Sequence, residues 1–474
     1  MILLKSLFKI APGNICMNLL VITMLLLSGC GGGWQWGWGL GSSAAASYNT
    51  WTWVSGANTV NQSGSYGTQG VAAVTNVPGA RSSAVSWIDA HGNLWLFGGG
   101  GYDSAGVTGT LNDLWKFDGT HWIWVSGANM VNQTGSYGTQ GVAAAANVPG
   151  ARSSAVSWID ASGNLWLFGG LGYDSAGGKG TLNDLWKFDG TYWTWVSGAN
   201  SVNQSGSYGT QGVAAVANVP GARSSAVSWS DASGNLWLFG GDGYDSAAGT
   251  GALNDLWKFD GTHWTWVSGA NTLNQSGSYG TQGVAAVTNV PGARSSAVSW
   301  IDAHGNLWLF GGGGYDSAGV TGTLNDLWKF DGTHWIWVSG ANMVNQTGSY
   351  GTQGVAAAAN VPGARSSAIS WIDASGNLWL FGGDGYDSAG VTGTLNDLWK
   401  FDGTHWTWVS GANTVNQSGS YGTQGVAAAA NVPGARSSAI SWIDASGNLW
   451  LFGGLGYDSA GGRGNLNDLW HDQP

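Results

Sequence analysis

From Ser154 the chain reads SAVSWID, where small polar and apolar positions alternate. The stretch ASGN then leads into LWLFGG, an apolar run closed by two glycines. Period-two alternation places one face of an extended strand against a core, and a short apolar run bounded by turn residues reads as a strand buried on both faces. Further on come DLWKFD, the turn DGTY and WTWV. The pattern predicts four short strands joined in part by two tight hairpins, and no stretch has a helical period.

The unit recurs. Arg81, Arg152, Arg223, Arg294, Arg365 and Arg436 stand 71 residues apart, and each opens the same sentence. The units at Arg81 and Arg294 are nearly identical, as expected if a three-unit block was duplicated. Four-stranded antiparallel units in tandem form the blades of a β-propeller. Before the first arginine lies a lone fourth strand, YNTWTWV, and after the last only three strands remain, ending at NDLWHDQP. The expected fold is therefore all-β: a six-bladed β-propeller of four-stranded antiparallel blades, closed by the N-terminal strand joining the C-terminal three. Closure removes free sheet edges. LWHDQP in place of LWKFDG leaves open a truncated or shifted copy of a longer array. The recurring tryptophans, for instance Trp87, Trp95, Trp115, Trp122 and Trp124, are expected to fill the gaps between blades.

The residues Leu94-Trp95-Leu96-Phe97-Gly98-Gly99, followed by Asn112-Asp113-Leu114-Trp115 and Trp122, resemble a kelch repeat. Six copies in register cover roughly nine-tenths of the chain. The departure is the period, since kelch units run to about 50 residues. The excess is the opening stretch, SGANTVNQSGSYGTQGVAAVTNVPGAR in the first unit. The resemblance implies the propeller fold. Some rings of this kind are copper-radical oxidases with a cysteine-linked tyrosine and histidine ligands, whereas here the only cysteines are Cys16 and Cys30. That activity is therefore not expected. The family's sugar-acid mutarotases make an enzyme acting on a sugar or sugar acid at the channel mouth the alternative.

Composition narrows the reading. The chain carries 83 Gly, 33 Trp and a net charge of −11, and all 26 acidic residues are Asp. An acidic chain with few cations offers nucleic acid no basic face. Lys5 and Lys9, the run LLVITMLLL and the ending LSGC at Cys30 read as a lipoprotein-type signal. Residues 1–29 are then the signal peptide, Cys30 the lipidated first mature residue, 30–47 a tether and 48–474 the propeller. An ordinary signal peptide cleaved nearby is the other reading. The expected location is a bacterial cell envelope, with the protein anchored as a monomer by lipid in a membrane.

Strand alternation puts the second-to-third loop and the long opening stretch on one face, rich in Gly, Ser, Asn, Gln, Thr and Tyr. Such a face suits a glycan or protein ligand. Its large rings are Tyr66 and Tyr102 with their repeats; Tyr102, Tyr173, Tyr244, Tyr315, Tyr386 and Tyr457 are binding candidates. Loops that pack on one another merely to cap the ring are the other possibility. The six arginines stand just before the innermost strand. They either ring the channel mouth to attract an anion or form buried bridges to Asp. Asp103, Asp113, Asp174 and Asp184 are weak Ca²⁺ candidates that equally suit turns; no other cofactor is expected. His121 is Tyr192 in the next unit and His91 is Ser162, which speaks against histidine ligands. Differences between units, such as Lys179 and Arg463 against Val107 and Val391, read as scattered among loops. Six near-equal blades offer six near-equal environments, so a binding scaffold is expected ahead of an enzyme.

Overall fold

The computed structural model describes residues 50–473. The expected signal peptide, Cys30 and the tether lie outside the described residues. In the first unit the strands are β1 (Thr50–Ser55), β2 (Arg81–Ser82), β3 (Val85–Ile88), β4 (Leu94–Tyr102), β5 (Thr108–Phe117) and β6 (Trp122–Ser126). β2 and β3 both pair with β4, β4 with β5 and β5 with β6, all antiparallel. This is blade 1, and the pattern repeats as blades 2 to 5, starting at Arg152, Arg223, Arg294 and Arg365. Blade 6 begins at Arg436. Its third strand, Arg463–Gln473, takes β1 as its outer partner, with Trp53 opposite Trp470 and Trp51 opposite Asp472. The ring is thus a six-bladed propeller, closed by the expected one-plus-three blade.

One departure from four strands lies nearest the axis. The innermost strand is split into β2 and β3 because Ser83 adopts a left-handed φ of 55°. That rotation takes its amide off the ladder and aims it at the neighbouring blade, where it donates to Ser438 O. Ser154 donates to Ser83 O, and so on through Ser225, Ser296, Ser367 and Ser438, so six backbone bonds close a circle. A second circle lies beside it: Ser86 Oγ donates to Ser441 O at 3.2 Å, Ser157 Oγ to Ser86 O at 3.1 Å, and the remaining blades follow in the same sense.

The paired glycines have a steric cause. Gly98 and Gly99 have φ of 65° and 101°, a region where only glycine is unstrained. A Cβ on Gly98 would stand 2.7 Å from Arg152 O of the next blade. The glycines also sit at a β-bulge, where the β4–β5 register shifts between Phe97–Leu114 and Gly99–Leu111. Asn112 and Asp113 together face a single residue there, and such a bulge re-aims its side chains.

The core is shared between neighbours. Trp87, Trp95 and Phe97 of blade 1 pack with Leu165, Trp186, Phe188 and Trp193 of blade 2, and equivalent clusters join every adjacent pair, including blades 6 and 1. Trp115 and Trp122 are fully buried, edge to face at 6.5 Å. Trp87 also donates its indole N–H to Trp166 O across the interface. Trp371 breaks that pattern and stacks on Trp379 instead, 5.7 Å away and nearly parallel.

Candidate functional site

The bulge directs Asp113 inward, where it gathers four donors. Arg81 grips it with both terminal nitrogens at 2.7 Å, Tyr66 Oη donates at 2.6 Å, and Trp115 Nε1 at 2.7 Å. Arg81 Nε and Nη1 also donate to Gly79 O and Gly98 O. The arginine is 1% exposed and the aspartate 0%. Burial disfavours the guanidinium charge, but the Asp113 carboxylate and its hydrogen bonds outweigh that and raise the Arg81 pKa. Burial and then the Asp113 charge push the Tyr66 hydroxyl far above the usual phenol range. The same network recurs at Arg152, Arg223, Arg294, Arg365 and Arg436. The arginines therefore do not ring the channel mouth; they are the buried bridges to Asp. Tyr66 and its repeats likewise point into the blade rather than out of the loop face. No sequence signal tied Tyr66 to Asp113, because the bulge that joins them is a backbone feature.

Asp103 has a different partner set. Its Oδ1 accepts the amides of Ala105 and Val107, closing its own loop, and its Oδ2 accepts Val131 N of the long stretch leading to blade 2. Gly64 N donates to Asp103 O and Tyr102 N to Ala80 O, so the two long segments do lie together on one face. Asn76, 2% exposed, ties Val71 O to Trp122 O. The opening stretch is thus largely held by bonds to its own blades. Asp103, Asp113, Asp174 and Asp184 do not converge as calcium ligands, and no cluster of three or more His, Cys, Asp or Glu arises among the described residues.

Two regions bear on the expected binding sites. The axial channel holds a space of about 230 Å³ lined by Ala84, Val85, Ser86 and their repeats. It widens to about 430 Å³ at the level of Trp87 and Ile88, toward the β3–β4 turns. These walls carry no acid, base or metal ligand, so the channel offers containment without chemistry. On the loop-rich face a larger cavity of about 870 Å³ spans blades 4 to 6. Tyr386 and Tyr457, both half-buried, stand in it with Asn345, Asn416, Asp384 and Arg463. Two of the six candidate tyrosines thus share one cavity. Tyr102, Tyr173, Tyr244 and Tyr315 hold the equivalent strand-end positions in the other blades.

The register corrects how the units were compared. Lys179 pairs with Tyr173 and Arg463 with Tyr457, as Thr108 pairs with Tyr102 and Thr392 with Tyr386. The counterparts of the two cations are therefore threonines, not Val107 and Val391. These positions are strand ends at the mouth, not scattered loop sites.

Neither a known protein family nor a curated protein matches the sequence. Among solved structures, YjhT is similar with a TM-score of 0.49 at 14% identity, over 84% of this chain and 99% of that one. A fungal alcohol oxidase of the AA5 family in complex with copper matches with a TM-score of 0.43 at 15% identity, over 86% of this chain and 77% of that one.

Proposed function

We propose that this chain is a kelch-type propeller of the bacterial envelope, exported and lipid-anchored through Cys30. In this reading it is a binding module that takes a glycan at the mouth on its loop-rich face. The observation that carries it is the cavity of about 870 Å³ containing Tyr386 and Tyr457 beside amide, carboxylate and guanidinium groups. Aromatic faces with a few convergent polar groups suit a polyhydroxylated ligand. Much of the loop segment is held by internal bonds, which favours the mouth over the loop tips. A second reading, a sugar or sugar-acid converting enzyme, rests on Asp384 and Arg463 sharing that cavity without an ion pair between them.

The test is a glycan array probed with the purified chain, with and without Ca²⁺, beside Tyr386→Ala and Tyr457→Ala. Binding that falls in both variants and ignores calcium supports the mouth as the site. A blank array, or binding untouched by both changes, overturns it and leaves a protein partner as the better account. Conversion of a bound sugar, followed by NMR, would move the assignment to the enzyme.

A further inference from the structure

Nearly every charge in this protein belongs to a set that recurs every 71 residues. The sets are the six buried arginines, the lysines at 116, 187, 258, 329 and 400, and four aspartate series beginning at Asp89, Asp103, Asp113 and Asp118. Each has a structural duty: the lysines lie over tryptophan rings, as Lys116 does over Trp95 at 5.6 Å, and Asp89 and Asp118 accept the amides of hairpin turns. Beyond residue 9, five charges stand outside these sets: Lys179, Asp242, Asp384, Arg463 and Asp472.

Asp472 is buried in the closing blade, where blade 1 has Phe117; the other four fall on the mouth. Arg463 and Asp384 line the large cavity, as do Thr321, Thr392 and Gly313, the residues at their positions in other blades. Strand register puts Lys179 at the Arg463 position and Asp242 at the Asp384 position. Their order around the ring is not random. Blades 2 and 6, which carry Lys179 and Arg463, flank blade 1. Blades 3 and 5, which carry Asp242 and Asp384, flank blade 4 on the opposite side. Blades 1 and 4 are neutral there, with Gly100 and Thr108, and Gly313 and Thr321. Ion pairs do not cancel the pattern: those present among the described residues are the six Arg–Asp bridges and His334–Asp331.

From this juxtaposition we infer that the mouth is a bipolar site, basic beside blade 1 and acidic beside blade 4, and that it selects a zwitterionic glycan bearing both carboxylate and free amine. The inference rests on the glycan reading above and names the substrate class. Opposed charges across a concave, partly desolvated rim make a field that orients such a ligand and disfavours one with a single sign of charge. Leu171, 42% exposed, and the half-buried Leu455 stand on the basic side only, and give that side an apolar contact as well.

The experiment is calorimetric titration of the purified chain at low ionic strength with four tetrasaccharides. They are chitin (neutral), chitosan (cationic), hyaluronan (anionic) and N-deacetylated hyaluronan (zwitterionic). The zwitterion is expected to bind about tenfold tighter than either singly charged chain, with the gap shrinking as salt is added. The paired change Lys179→Thr with Arg463→Thr should erase the advantage over chitosan, and Asp242→Gly with Asp384→Gly the advantage over hyaluronan. Those replacements already occupy the same positions in blades 1 and 4, so the fold is not at stake. Equal binding of all four sugars overturns the bipolar site while sparing the glycan reading; no binding by any of them overturns both.

Discussion

Asp184→Asn in blade 2 tests the buried network directly. The carboxylate receives Arg152 through both nitrogens at 2.7 Å, Tyr137 Oη at 2.6 Å and Trp186 Nε1 at 2.7 Å. The substitution keeps the shape but removes the counter-charge of a fully buried guanidinium, which costs about 3–5 kcal/mol. The amide NH₂ also faces a donor, so a neighbouring N–H or O–H loses its acceptor, at about 1–3 kcal/mol. These terms overlap, and a total of about 4–6 kcal/mol is expected. Replacing both charges, Arg152→Met with Asp184→Leu, removes the unpaired charge but leaves the Tyr137 and Trp186 donors and the Gly150 and Gly169 carbonyls unmet, so it should cost clearly less than the two single changes summed. Urea unfolding followed by tryptophan fluorescence gives all these values. A single change costing under about 1 kcal/mol, or a double change costing as much as Asp184→Asn and Arg152→Met summed, would refute the reasoning.

Three other outcomes are expected. Tyr66, Tyr137, Tyr208, Tyr279, Tyr350 and Tyr421 keep their protons while folded, chiefly through burial. The unfolded chain releases them near pH 10, so stability falls with rising pH above that point, and ultraviolet titration should show these six ionising only with unfolding. Asp472, which stands where blade 1 has the buried Phe117, is pushed up to about 7 by burial. Its protonated form is the one the fold accommodates, so its contribution is full below about pH 4 and lost as pH rises through about 7. Asp472→Asn should add about 2–4 kcal/mol at pH 8 and nothing at pH 3, read from denaturant midpoints. Trp51, 3% exposed and packed on Phe381 and Trp470, should cost about 3–5 kcal/mol on change to alanine. Hydrogen exchange in Arg463–Gln473 should then rise more than in any other third strand.

The strands, the 71-residue unit and the closing blade were legible because period-two patterning and turn residues are local signals. The split of the inner strand was not, since Ser83 leaves the ladder only to meet a residue of another blade. The site was harder. One arginine beside a predicted inner strand, six times over, could be read as a channel ring or as bridges, and only the bulge at Asn112–Asp113 decides between them. The mouth charges were visible as letters, but offset by one position they paired Lys179 with Val107. Strand register, which aligns Lys179 with Thr108, turns an apparent scatter into an arrangement.

The closing blade also has a consequence for the order of assembly. Ala57 N reaches the side chain of Asn467 across 410 residues of chain, whereas blades 1 to 5 complete themselves within 50. Interior blades can stack early, and each one added brings the two ends nearer, so the cost of shutting the ring falls as the arc grows. Until then β1 is an orphan strand facing an unfinished sheet, and its WTWVS is the same text as the outer strands at Trp193, Trp264 and Trp406. Two half-shut molecules carry the same matching edges. Folding at high concentration is therefore expected to raise the share of strand-exchanged pairs, read by size-exclusion chromatography after refolding.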